Sequence, residues 1–233
     1  MGSAVVSATG SAIAYAARST QASEVFTMLE FLPQPFVCVI SGPSGVGKTV
    51  VCRRLLKRNR GLGRVITVTT REPRGRERPE IDYHFVDTAA FEQKRTSGAL
   101  LEWATVYDAS YGTPKDEVEE YLAQGRIPLL NIDVQGALSI RKALPELAVL
   151  IFLYPPDEET LRERLEGRGT DSRETIEKRQ KVALNEIALA PKYDYVVING
   201  HLMTCVREVE AILRAEMLRA RPSSFRDHPP LDR

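Results

Sequence analysis

The stretch that most constrains this chain is SGPSGVGKTV, residues 41–50. An apolar run, FVCVI, leads into it, and a helix-compatible run, VVCRRLLKR, comes after it. Gly42, Pro43, Ser44, Gly45, Val46, Gly47, Lys48 and Thr49 therefore form a loop between a buried strand and a helix. Glycines in such a loop let backbone N–H groups converge on phosphate oxygens, and the helix that opens there adds the positive end of its dipole. Lys48 is expected to span the β- and γ-phosphates of a nucleoside triphosphate, and the Thr49 hydroxyl to ligate Mg²⁺. The loop identifies a phosphoryl donor and leaves the acceptor open, because the same loop serves many unrelated reactions.

The rest of the chain alternates. Short apolar runs at 36–41, 127–132, 149–154 and 194–198 read as buried strands, and helical patterns fall near 48–59, 134–144, 157–167, 172–190 and 202–219. Strands interleaved with helices imply an α/β fold, a parallel sheet covered on both faces. Residues 62–112 break that rhythm: RVITVTT, DYHFV and LLEWATVY are β-rich, with one short helical pattern around 88–97. They read as a mixed β subdomain inserted after the first helix.

Composition narrows the partners. Lys and Arg number 32 against 31 Asp and Glu, so no global field favours a nucleic acid or a membrane surface. Cys38, Cys52 and Cys205 are far apart, lack metal-ligand spacing and point to a reducing, cytoplasmic setting. The first 34 residues are rich in Ala and Ser and lack the basic start and continuous apolar centre of a secretory signal. A disordered extension is expected there, with Met28 as an alternative start, and a flexible Pro-rich tail at 222–233.

Two basic runs stand out. LRERLEGRGTDSRETIEKR carries Arg164, Arg168, Arg173 and Arg179 around a break flanked by Gly167 and Gly169. Arginines on such a segment can close over triphosphate oxygens and stabilise charge on the transferred group; the plainer reading is a solvated amphipathic helix. TTREPRGRERPE places Arg71, Arg74, Arg76 and Arg78 within eight residues, which alone would read as a solvated basic loop.

The residues around and beyond that loop change its reading. VTTREPRGRERPEIDYHFV and then LLEWATVYDASYGTP resemble the GMP-binding region of guanylate kinases. The likeness continues through IDVQGA, YPPDEETLRERLEGRGT and YVVING, over roughly residues 36–215. It implies a P-loop NTPase-type parallel sheet flanked by helices, with an inserted mixed β GMP-binding subdomain at 62–113 and a helical lid at 164–179. The core would then comprise 35–61, 114–163 and 180–221.

Residue by residue, the resemblance makes Arg71, Arg74 and Tyr83 ligands of the acceptor phosphate, with Glu77 holding the cluster and Tyr111 as a second phosphate-contacting tyrosine. Glu102 would receive guanine N1–H and the 2-amino group, and Thr67 and Thr113 would lie near O6. Asp133 joins the GMP set and can reach Mg²⁺ through water, while Lys48, Arg164, Arg168 and Arg179 form the catalytic set. The implied reaction is ATP + GMP ⇌ ADP + GDP, with Mg²⁺, ATP and GMP as the only implied ligands. Neither a nucleic acid nor a membrane is expected as a partner, and monomer or homo-oligomer stays open. A carboxylate accepts two hydrogen bonds from guanine but faces a ring-nitrogen acceptor in adenine, so rejection by roughly 10⁴-fold is within reach.

One position departs from the family. Where Asp-Ile-Asp is usual, this chain reads Asn131, Ile132, Asp133, which removes one carboxylate from the face that Asp133 shares. Two rivals arise: a relative that phosphorylates a sugar phosphate, and an inactive guanylate-kinase-like domain that binds phosphopeptides. Glu102 and Tyr111 argue against the first, and the intact phosphate loop against the second.

Overall fold

The computed structural model describes residues 35–75, 77–106, 108–166 and 173–219, with the backbone alone for 173–178. The extension at 1–34, the tail at 222–233, and Gly167, Arg168 and Gly169 of the expected lid lie outside the described residues. So do Arg76 and the Arg173 side chain.

Five strands form one parallel sheet in the order β2-β7-β1-β8-β9. They are β1 (Val37–Ser41), β2 (Leu62–Arg64), β7 (Ile127–Asn131), β8 (Ala148–Tyr154) and β9 (Tyr195–Ile198). Alternate side chains of a strand leave on opposite faces, and here each face meets its own helices. Cys38, Ile40, Val149, Ile151 and Leu153 pack with α1 (Lys48–Arg58) and α7 (Leu202–Met217). Val37, Val39, Leu150 and Phe152 pack with α3 (Lys115–Ala123) and α4 (Val134–Ala143). Each fully buried aliphatic or Phe side chain contributes roughly 1.5–3 kcal/mol, so this double-faced burial fixes the sheet and the loops at its ends. Two further helices, α5 (Glu158–Glu166) and α6 (Arg173–Ile187), come after β8 and contact each other.

The inserted segment forms a second, mixed sheet in the order β4-β3-β6-β5. Its strands are β3 (Val68–Thr69), β4 (His84–Phe85), β5 (Leu100–Val106) and β6 (Ala109–Pro114), with α2 (Thr88–Thr96) capped by Asp87, whose carboxylate accepts from Ala90 N at 2.7 Å. Two features correct the sequence reading. Leu62–Arg64 pairs in parallel with Ile127–Leu129, so the first three residues assigned to the insertion are an edge strand of the core. Helix α3, absent from the expected helical patterns, returns the chain from the insertion to β7.

Candidate active site

The phosphate loop is built by close approaches. Gly42 has φ 137°, and a Cβ there would fall 2.4 Å from Leu153 O on β8, so only glycine lets the chain turn at the end of β1. Gly47 has φ 100° and lies against the Asn199 side chain, whose Nδ2 donates to Val46 O at 2.7 Å. Gly47 is the N-cap of α1, which has no acidic residue in its first turn and Lys57 and Arg58 in its last. That distribution leaves the positive end of the helix uncompensated, as suits an anion site. Lys48 Nζ curls back over the loop, donating to Gly42 O at 2.6 Å and Pro43 O at 3.1 Å.

Across the cleft, Arg71 is gripped rather than solvated. Its guanidinium donates in bidentate fashion to Glu77 (2.9 and 3.1 Å) and lies over the rings of Tyr83 (5.2 Å) and Phe85 (5.8 Å). Tyr83 and Tyr111 meet edge to face with centroids 6.3 Å apart. Burial pushes the Glu77 carboxyl up, but the Arg71 fork, the Arg74 N–H and both guanidinium charges outweigh it and hold the group below its usual range. Glu77 thus stands behind the arginine and fixes its fork. Arg74 is exposed at the rim, tied to Glu77 through its backbone N–H.

Glu102 is placed by an irregularity. The β5–β6 register shifts between Leu100 and Glu102, which sets Glu102 opposite Thr113. The buried Thr113 hydroxyl donates to Glu102 Oε1 at 2.6 Å. The other oxygen lies over α4 at Gly136, where a Cβ would come within 3.0 Å of Oε2. Only 7% of Glu102 is exposed. Burial pushes its carboxyl up to about 7; the Thr113 bond opposes the rise and the charge of Asp133 adds to it.

One cavity of about 640 Å³ joins these parts. Ser44, Gly45, Gly47, Lys48 and Thr49 of the phosphate loop line one part of it, and Thr67, Arg71, Arg74, Tyr83, Glu102 and Tyr111 of the inserted segment another. Asn131 and Asp133 lie between them, and Arg164 and Arg179 border the same space. Glu77 and Thr113 support the lining from behind, and Gly42, Pro43 and Val46 shape the loop. Asp133 Oδ1 caps α4, accepting from Gln135 N (2.7 Å) and Gly136 N (3.0 Å). Arg164 donates to Asn199 O at 3.0 Å and approaches Val46 O at 3.4 Å, so it braces the loop as well as bordering the cavity.

The sequence reading missed two residues here. Asn199 holds the loop at Val46, and its place in ING directly after the last strand was the available signal. Glu186 lines the cavity and accepts from Ser44 N at 3.3 Å; only its seven-residue spacing from Arg179 on one helix pointed to it.

A family model described as guanylate kinase matches residues 34–216. A guanylate kinase of Carboxydothermus hydrogenoformans is 44% identical over 188 residues, covering 81% of this chain and 92% of that protein. One of Sphingopyxis alaskensis is 46% identical over 183 residues, covering 78% and 83%. The crystal structure of guanylate kinase from Anaplasma phagocytophilum superposes with a TM-score of 0.69 at 32% identity, covering 80% of this chain and 88% of that one.

Proposed function

The chain belongs to the guanylate kinase family, and from that premise we propose that it transfers the γ-phosphoryl group of ATP to GMP, giving ADP and GDP. The observation that carries the proposal is Glu102. A carboxylate with 7% exposure shares one cavity with a phosphate loop and an Arg71–Tyr83–Tyr111 cluster. A buried carboxylate costs several kcal/mol unless its hydrogen bonds are met, and guanine N1–H and the 2-amino group meet them as a pair. A sugar phosphate has hydroxyl donors but no flat base edge with adjacent N–H groups, which disfavours that rival.

In this reading the loop N–H groups and Lys48 hold the ATP phosphates. Lys48 leaves the Gly42 and Pro43 carbonyls to do so, a short swing of a flexible chain. Arg71, Arg74 and the two tyrosines hold the GMP phosphate, and the Glu77 grip keeps the Arg71 fork oriented when the acceptor is absent. An oxygen of that phosphate attacks the γ-phosphorus in line. The bond from phosphorus to the β,γ-bridging oxygen breaks, and its electron pair stays on ADP. No protein nucleophile is required; catalysis is positioning plus charge stabilisation by Lys48, Arg164 and Arg179. Arg168 is proposed for the same role on the family resemblance alone.

Mg²⁺ fits the residues present. The described residues contain no group of three or more His, Cys, Asp or Glu that could cage a metal. The Thr49 hydroxyl and Asp133 border the cavity beside the donor loop, which suits an ion that keeps waters and takes most of its oxygens from the nucleotide. Thr49 would ligate it directly and Asp133 through water; when bound, the ion neutralises developing charge on the β- and γ-oxygens. No helix among the described residues is long and apolar enough to cross a membrane. The three buried thiols accord with the cytoplasm, where both nucleotides are found.

The test is acceptor-dependent ADP release with ATP and Mg²⁺, comparing GMP, AMP and ribose 5-phosphate. Strong preference for GMP is expected. Preference for ribose 5-phosphate would install the sugar-phosphate rival, and no release with any acceptor would leave the inactive binding domain.

A further inference from the structure

The cavity holds a carboxylate that the reaction above does not use. Glu186 Oε2 accepts from Ser44 N, a backbone donor of the phosphate loop, and borders the cavity with Lys48, Asp133 and Arg179. Inward-facing N–H groups of such a loop suit anions, and here a side-chain anion already sits on one. Its position is set by α6. Arg179, Val182 and Glu186, at spacings of three and four, share the helix face that borders the cavity. Ala183 of the adjoining face is fully buried against Leu161 and Leu165 of α5, with Ile187 packed on the same cluster. The helix that carries a transition-state arginine is therefore fastened to the phosphate loop through a carboxylate, at a point where nucleotide phosphates must come.

We propose that Glu186 is a positioning residue of the donor site, a resident carboxylate that holds Ser44 N–H while the loop is empty and yields it when a polyphosphate binds. The inference rests on reading residues 42–49 as the donor site. Charge on neighbouring groups supports it. Burial raises the Glu186 carboxyl above its usual range, Lys48 and the Ser44 bond oppose that, and Asp133 adds to it. An arriving polyphosphate takes over Lys48 and Ser44 N–H, which are the two contacts that favour the ionised carboxylate. Repulsion from the phosphates then drives the side chain off the loop. Donor binding thus breaks the tie between the loop and α6 and lets Arg179 be repositioned only once phosphates are present.

The alternative is that Glu186 simply braces the loop in its binding shape. The two roles predict opposite signs. Tripolyphosphate, which has the phosphates but no base, is titrated into the full-length wild type and into Glu186→Gln and Glu186→Ala. A resident carboxylate predicts roughly tenfold tighter tripolyphosphate binding in both variants, from one removed like charge in a partly dry cleft. GMP affinity should not change. The Ser44 amide resonance should differ between wild type and Glu186→Gln when empty and coincide when tripolyphosphate is bound. Unchanged or weaker binding in either folded variant, or a Ser44 resonance that differs equally in both states, overturns the proposal. The kinase reading fails separately: wild type that does not phosphorylate GMP would remove it and leave the tripolyphosphate result standing.

Discussion

The Asn131 amide donates to the Thr49 hydroxyl at 3.3 Å, joining the end of β7 to the first turn of α1. That bond uses a lone pair on the oxygen proposed to meet Mg²⁺. A carboxylate at the same place would accept from the hydroxyl and attract the ion. Asn131→Asp is therefore expected to lower the Mg²⁺ concentration for half-maximal ADP release by about 2–5-fold. The repulsion between two carboxylates on one strand face limits the gain. A Mg²⁺ titration at saturating GMP checks it. An unchanged Mg²⁺ curve with altered acceptor choice would show that Asn131 reads the acceptor.

Glu102 yields a prediction about substrate. Glu102→Gln keeps an acceptor for the Thr113 hydroxyl but loses the double acceptor and the charge. GMP affinity should fall by about 10²-fold or more, on the order of 3 kcal/mol, with ATP affinity nearly unchanged. Calorimetric titration of each nucleotide separates the outcomes; equal losses would make Glu102 structural.

The same carboxyl gives a pH signature in the ligand-free protein. Its folded pKa of about 7 lies above the ordinary glutamate value, so the folded state binds the proton more tightly. This stability is fully present below the unfolded pKa and is lost as pH rises through about 7. Glu102→Gln should therefore raise Tm relative to wild type at pH 8, with an upper bound of about 3 kcal/mol, and make little difference at pH 4. Thermal melts at the two pH values are the check; an equal shift at both would place the effect in packing. GMP affinity of the wild type should also weaken below pH 7, because the base must then displace a proton.

Gly136 sets how close α4 comes to Glu102. Gly136→Ala would put a methyl group 3.0 Å from Oε2 and 3.3 Å from Cδ, displacing the carboxylate from its seat. KM for GMP should rise roughly tenfold with little change in KM for ATP, since only the acceptor end is disturbed. A loss confined to kcat would point instead to the nearby Asp133 cap.

The parts legible in the sequence are those whose signal is local. Buried strands such as Val37–Ser41 and Ala148–Tyr154 announce themselves as apolar runs, and the phosphate loop as a spacing of glycines before Lys48. Strand β2 was not legible as core, because Leu62–Arg64 is too short for any period and its identity depends on pairing with Ile127–Leu129. Helix α3 had readable signals: Pro114 before it, Asp116 and Glu117 in its first turn, and Val118 and Leu122 four apart. It was missed because only those two positions are buried. At the site, the resemblance named Glu102, but the register shift that aims it and the Gly136 seat beneath it are tertiary. Glu186 lay beyond local reading altogether, since its partner Ser44 is 142 residues away.

The position of β2 has a consequence for how such a chain can change. The polypeptide leaves the parallel sheet at Arg64 and comes back through α3 to β7, which pairs with β2 at Leu62 and Ile127. Just past Arg64 the outgoing chain meets the returning one, where Ile66 N donates to Glu117 of α3 at 2.8 Å, so the inserted segment is an excursion with a common doorway. An excursion of that kind can be swapped, lengthened or pared down while β1, β7 and β8 keep their registers, and with them the phosphate loop and Asp133. The donor half is then a chassis and the acceptor half a graft. What such an exchange must keep is the packing of β5 on α4, where Glu102 meets Gly136.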